Sequence, residues 1–130
     1  MLKTTHAIRC LRDPTRGGVS SSLNEIAAQS QVGILIDEQS ILIREEVRGA
    51  CEILGLDPLY VANEGKLLAI VDAKVADELL DAMRRNPLGR DARRIGTVRG
   101  NDAGWVTMRT LLGTTRIVDM LAGDQLPRIC

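Results

Sequence analysis

Aromatic side chains are nearly missing from this chain: of 130 residues none is Phe, one is Tyr and one is Trp. The core must therefore be aliphatic, and the stacking platforms that single-stranded nucleic acid requires are lacking. Net charge is lacking too, because seventeen Lys and Arg offset seventeen Asp and Glu. Such a balance leaves no overall electrostatic footprint for nucleic acid or an anionic membrane. No apolar run nears the ~18 residues of a membrane span, and no charged-then-apolar leader opens the chain. Cysteine is sparse and odd in number: Cys10, Cys51 and Cys130. Three scattered thiols make no disulfide framework and point to a reducing cytoplasm. His6 and Cys10 share helical i, i+4 spacing, but no second His or CxxC completes a four-ligand set, so no metal site is expected. Cys51 reads as a small core residue of a helix. Cys130 is the last residue, not fourth from the end as prenylation requires.

What is present suffices for one soluble globular domain: 45% of the residues are hydrophobic and 26% charged. Met1 to Leu11 reads as the end of a helix, broken at Asp13-Pro14. The run Asp13-Pro14-Thr15-Arg16-Gly17-Gly18 reads as a loop. Val19 to Gln29 has helical apolar spacing, and Ile34 to Ile36 is a short strand. Arg44 to Leu54 is a second helix with Val47, Ala50, Cys51 and Leu54 aligned, stopped by Gly55. Leu67 to Val71 reads as a buried central strand. Asp72 caps a third helix through Met83, which ends before Asn86-Pro87. Arg94–Arg99, Trp105–Arg109 and Thr114–Val118 read as strands, with Gly100 to Gly104 as a hairpin turn between the first two. The expected fold is therefore α+β, a mixed sheet with packed helices over residues 1–119, followed by a mobile tail, 120–130.

That tail ends Pro127-Arg128-Ile129-Cys130. A terminal thiol on a tether can enter a pocket elsewhere, take up a group and return. From Asp119 to Cys130 there are eleven residue steps, a reach of at most ~35 Å. Pro127 stiffens its end. Taken alone, the tail is also simply where a chain stops. The first loop is a candidate phosphate site: its glycines let the backbone approach a ligand, and free N–H groups at a helix start favour anions. Arg12 and Arg16 add forked donors. It lacks the Gly-Lys-Ser/Thr ending of a Walker loop, and on its own reads first as a tight turn with solvated arginines. Asn63-Glu64-Gly65-Lys66 precedes a strand and by itself reads as an ordinary loop with exposed charges. Glu64 could otherwise serve as a base if burial raised its proton affinity, or as an anchor for an incoming group. Asp37-Glu38, Glu45-Glu46 and Arg84-Arg85 read as solvated faces.

Four segments together resemble one family: Arg12-Asp13-Pro14-Thr15-Arg16-Gly17-Gly18, Ala62-Asn63-Glu64-Gly65-Lys66, Pro87-Leu88-Gly89 and the terminal Pro-Arg-Ile-Cys. The chain resembles the C-terminal domain of the HypE family of hydrogenase maturation proteins. That family belongs to the superfamily of aminoimidazole ribonucleotide synthetase and selenophosphate synthetase. The resemblance implies that the carbamoyltransferase HypF loads a carbamoyl group onto Cys130. ATP, with Mg2+, then drives its dehydration to a thiocyanate, and cyanide passes to iron on HypC–HypD for a nickel–iron hydrogenase. It further implies Glu64 as the base. Arg12, Thr15, Arg16, Gly17, Gly18, Asn63 and Lys66 would line one side of the ATP and phosphate cleft, in a full-length homodimer. The α-carboxylate beside Cys130 opposes ionisation of its own thiol, so activation is expected from the loading enzyme.

One departure has consequences. The first loop lies mid-chain in a full HypE but starts here at position 13, so the domain supplying most of the ATP and metal site is expected to be missing. On that reading the chain alone folds but is inactive. Two alternatives stand beside it. The chain could act as a recognition module presenting its tail to HypF and HypC–HypD, or belong to another synthetase of the same superfamily.

Overall fold

The computed structural model describes residues 5–121. Six strands and three helices alternate in the order β1 (Ile8–Arg12), α1 (Gly18–Ser30), β2 (Gly33–Asp37), α2 (Glu45–Leu54), β3 (Leu68–Val71), α3 (Ala76–Arg84), β4 (Gly96–Arg99), β5 (Val106–Arg109) and β6 (Thr115–Ile117). Short 3-10 turns at Glu38–Ser40, Ala73–Val75 and Pro87–Gly89 punctuate them. The strands form a four-stranded sheet, β4-β2-β5-β6, and a separate ribbon, β1-β3. Only β2 and β5 run parallel, so the sheet is mixed and the class is α+β as expected.

The core forms where α1 lies on one face of this sheet. Strand alternation sends Ile34, Ile36, Val106 and Met108 to that face, and α1 meets them with Leu23 and Ala27. Leu59 and Val118 close the cluster. The segment between β4 and β5 is not a hairpin turn, contrary to expectation. β2 sits between the two strands, pairing antiparallel with β4 and parallel with β5. The loop instead crosses the start of β2, where Gly104 N–H donates to the Val32 carbonyl (3.0 Å). The true hairpin joins β5 to β6, closed by Thr110 N–H on the Thr114 carbonyl (2.8 Å).

Two further expectations are corrected. Residues 8–12 form a strand rather than a helix end: Ile8 and Cys10 turn inward while Arg9 points out, a period of two. β3 is not central. Each of its residues is only half-buried, because its one strand neighbour is β1. In α2 only Cys51 is buried, while Val47, Ile53 and Leu54 face solvent.

Candidate functional site

The ribbon explains how two loops far apart in sequence come together. Arg12, the last residue of β1, pairs with Leu68, the first of β3. Antiparallel pairing therefore sets the loop after β1 beside the loop before β3. Backbone hydrogen bonds lock the junction: Asn63 N–H donates to the Pro14 carbonyl (3.1 Å), and Ser20 N–H to the Leu59 carbonyl (3.0 Å). Gly17 and Gly18 both hold left-handed backbone, at φ +68° and +61°. A Cβ on Gly18 would collide with the carbonyls of Leu59 and Val61. Glycine stands there because two backbones touch.

The side chains around this junction divide into held and free. Arg12 is paired with Glu25 of α1. The Asn63 amide is assigned from its partners: its Nδ2 donates to the Glu64 carbonyl (3.0 Å) and its Oδ1 accepts from Lys66 Nζ (3.1 Å). Lys66 is thus aimed by its own loop. Thr15 is half-buried, whereas Arg16, Glu64 and Lys66 are exposed. Three backbone N–H groups at the start of α1 already have partners within the fold. Gly18 N–H is taken by Thr15, Ser20 N–H by Leu59 and Ser21 N–H by Gly17. Arg16 and Lys66 bring two exposed cationic side chains to this junction. Among the described residues, no group of three or more His, Cys, Asp or Glu side chains could hold a metal ion.

Sequence reasoning missed two residues that tie Val118 and Asp119 to α1. Ser20 Oγ donates to the Asp119 carbonyl (2.5 Å), and Asn24 Nδ2 to the carbonyls of Val118 (2.7 Å) and Ser20 (3.0 Å). Ser20, Ser21 and Ser22 are all buried, which is the readable signal: consecutive buried hydroxyls at a helix start must find partners. Leu121 Cβ lies 3.6 Å from the point a Gly17 Cβ would occupy. Leu121, the last described residue, therefore sits against the first loop. Cys130 itself, and residues 122–130 generally, lie outside the described residues.

A two-stranded ribbon joining two short loops at the head of a helix, beside a four-stranded mixed sheet, makes up one α+β domain. The chain belongs to the family described as AIR synthase related protein, C-terminal domain, which matches residues 1–108. Within that class it is similar to the carbamoyl dehydratase HypE of Azotobacter vinelandii, 58% identical over 130 residues, covering 100% of this chain and 38% of that protein. Among solved structures it is similar to hydrogenase maturation protein HypE in complex with ATP, with a TM-score of 0.87 and 48% identity over 95% of this chain and 38% of that one. It is also similar to a HypE–HypF complex, with a TM-score of 0.86 and 45% identity over 92% of this chain and 39% of that one. The chain thus spans well under half the length of the relatives it matches.

Proposed function

We propose that the chain is the C-terminal part of a HypE-type carbamoyl dehydratase, and that Cys130 carries the carbamoyl group. The observation that carries this reading is the position of Leu121. It abuts Gly17 at the junction of the two loops, and nine residue steps separate it from Cys130. That length spans at most about 30 Å, enough to return the thiol to Glu64 and Lys66 or to deliver it to another protein. The kinship with HypE proteins, one solved with ATP and one with HypF, supports the same assignment.

The division of labour follows from the side chains. ATP, with Mg2+, supplies the phosphoryl group that lets the carboxamide oxygen depart as phosphate. Arg16 and Lys66 bring positive charge to the phosphate, with Arg12, Thr15, Asn63, Gly17 and Gly18 shaping the same side of the cleft. The amide nitrogen loses two protons, one to solvent as its oxygen is phosphorylated and one to Glu64 as phosphate leaves and the carbon–nitrogen triple bond forms. The carbamoyl carbon stays on the sulfur of Cys130 throughout, so the product is a thiocyanate on the tail. Because Glu64, Arg16 and Lys66 are exposed, a covering surface must come from the rest of a full-length homodimer, which would hold most of the ATP. HypF loads the tail, and iron on HypC–HypD takes the cyanide, in the cytoplasm. The same exposure favours a second reading for the chain by itself, a recognition module that offers its tail to these partners.

The test is mass spectrometry of the C-terminal peptide after incubation with HypF, carbamoyl phosphate and ATP. A carbamoyl adduct on Cys130, absent in Cys130→Ala, is expected. An unmodified Cys130, or an adduct on Cys10 or Cys51 instead, overturns the carrier assignment.

A further inference from the structure

Away from the loop junction, five of the chain's seventeen basic residues crowd into positions 84–94, with Asp91 the one acid among them. Arg84, Arg90, Arg93 and Arg94 line a wide-open cleft of about 640 Å³ together with Gln39, Ser40 and a single acid, Asp91. All four arginines are exposed, and among the described residues none of them joins an ion pair; the pairs there use Arg9, Arg12, Arg109 and Arg116. The chain as a whole is neutral, so this concentration of like charge is local and self-repelling.

The segment carrying these arginines is tightly folded. Arg84 Nε donates to the Ala92 carbonyl (3.0 Å), which leaves its terminal N–H groups for something else. Asn86 Oδ1 accepts from Leu88 N–H (3.0 Å), and Gly89 and Ala92 N–H groups close successive turns at 2.9 Å. A Cβ on Gly89 would strike the Met83 carbonyl, so the turn is packed directly on the end of α3. This turn presents Leu88, 98% exposed, two residues before Arg90. An isolated oxyanion has no use for a fully exposed leucine. Arginine is enriched at protein interfaces, and the leucine beside the cluster offers an apolar contact that a protein segment can use and a small oxyanion cannot. The cleft also lies by β4, the opposite edge of the sheet from β6.

We propose that the cleft between α3 and the Glu38–Ser40 turn docks an acidic segment of a partner protein, with Leu88 as the apolar anchor beside it. Complementary charge draws the segment in and makes its capture salt-dependent. This assignment is independent of the role of Cys130.

The test tracks backbone amide shifts of the whole chain during titration with a synthetic peptide of Glu-Asp-Leu repeats, and separately with inorganic tripolyphosphate. Expected are saturable shifts at Gln39, Ser40 and residues 84–94, about tenfold weaker binding in Arg90→Glu/Arg93→Glu, and weakening of the wild type by NaCl. Leu88→Ser should weaken the peptide and leave tripolyphosphate unchanged. If the double variant unfolds, Arg84→Gln and the salt series of the wild type carry the same reading. Shifts outside the cleft, or insensitivity to salt, overturn the proposal. So does peptide binding that ignores Leu88→Ser and is matched by tripolyphosphate, which would make the cleft a small-anion site.

Discussion

At Gly18 two requirements coincide: a left-handed backbone, φ +61°, and carbonyls of Leu59 and Val61 standing where a side chain would begin. Left-handed backbone alone costs an L-residue about 1–2 kcal/mol, and displacing two backbone carbonyls adds to it. Gly18→Ala is therefore expected to destabilise the fold by about 2–4 kcal/mol. A lower urea midpoint with an unchanged slope would show it. A midpoint within experimental error of wild type would mean the two loops are not in backbone contact. The glycine pair was readable as a loop from sequence, but its reason was not. The carbonyls that demand it come from a segment some forty residues away.

Elements have the same lesson with other causes. α1 was legible because its apolar spacing is local, and so was the strand character of residues 34–36, 106–109 and 115–117. β1 was not, since its partner, Leu68–Val71, lies beyond any local window and His6 and Cys10 happen to have helical spacing. β3 looked central because an apolar run encodes burial without saying by what. The supposed hairpin failed because β2 inserts between two strands that come after it in sequence. Of the candidate site, both loops were legible, whereas the buried partners of α1 were hidden. Ser20 and Asn24 join that helix to Val118 and Asp119. Asn24→Ala leaves the Val118 carbonyl without its amide donor, at a cost of about 1–3 kcal/mol. Hydrogen exchange should register this locally: the Val118 amide, bonded to the Val106 carbonyl at 2.8 Å, loses protection while β2 keeps its own. Uniform loss across β2 and Val118 would show that Asn24 supports the whole sheet and not Val118 and Asp119 alone.

For the whole molecule, the telling contrast is between a closed core and the open junction of the two loops. α1 and the sheet seal Ile36, Val106 and Val118 almost completely, yet Arg16, Glu64 and Lys66 all face solvent. Proton abstraction and phosphoryl transfer both depend on oriented charge in a water-poor site, and an exposed carboxylate at an open junction supplies little of that. The chain also spans only 38% of its Azotobacter relative. We therefore expect the purified chain to fold cooperatively and accept a carbamoyl group on Cys130, but to release no phosphate from ATP and form no thiocyanate. Adding the remaining part of a HypE protein as a separate chain should restore both activities together. In that mixture Glu64→Gln should keep the loading of Cys130 and lower dehydration by about 10²–10⁴-fold, the range for a removed general base. The two readings of the chain separate here. Turnover in the mixture supports a catalytic half, whereas loading and delivery with no turnover leave only the recognition role. Phosphate release by the chain alone would contradict both, because it would mean the open junction already contains a complete catalytic site.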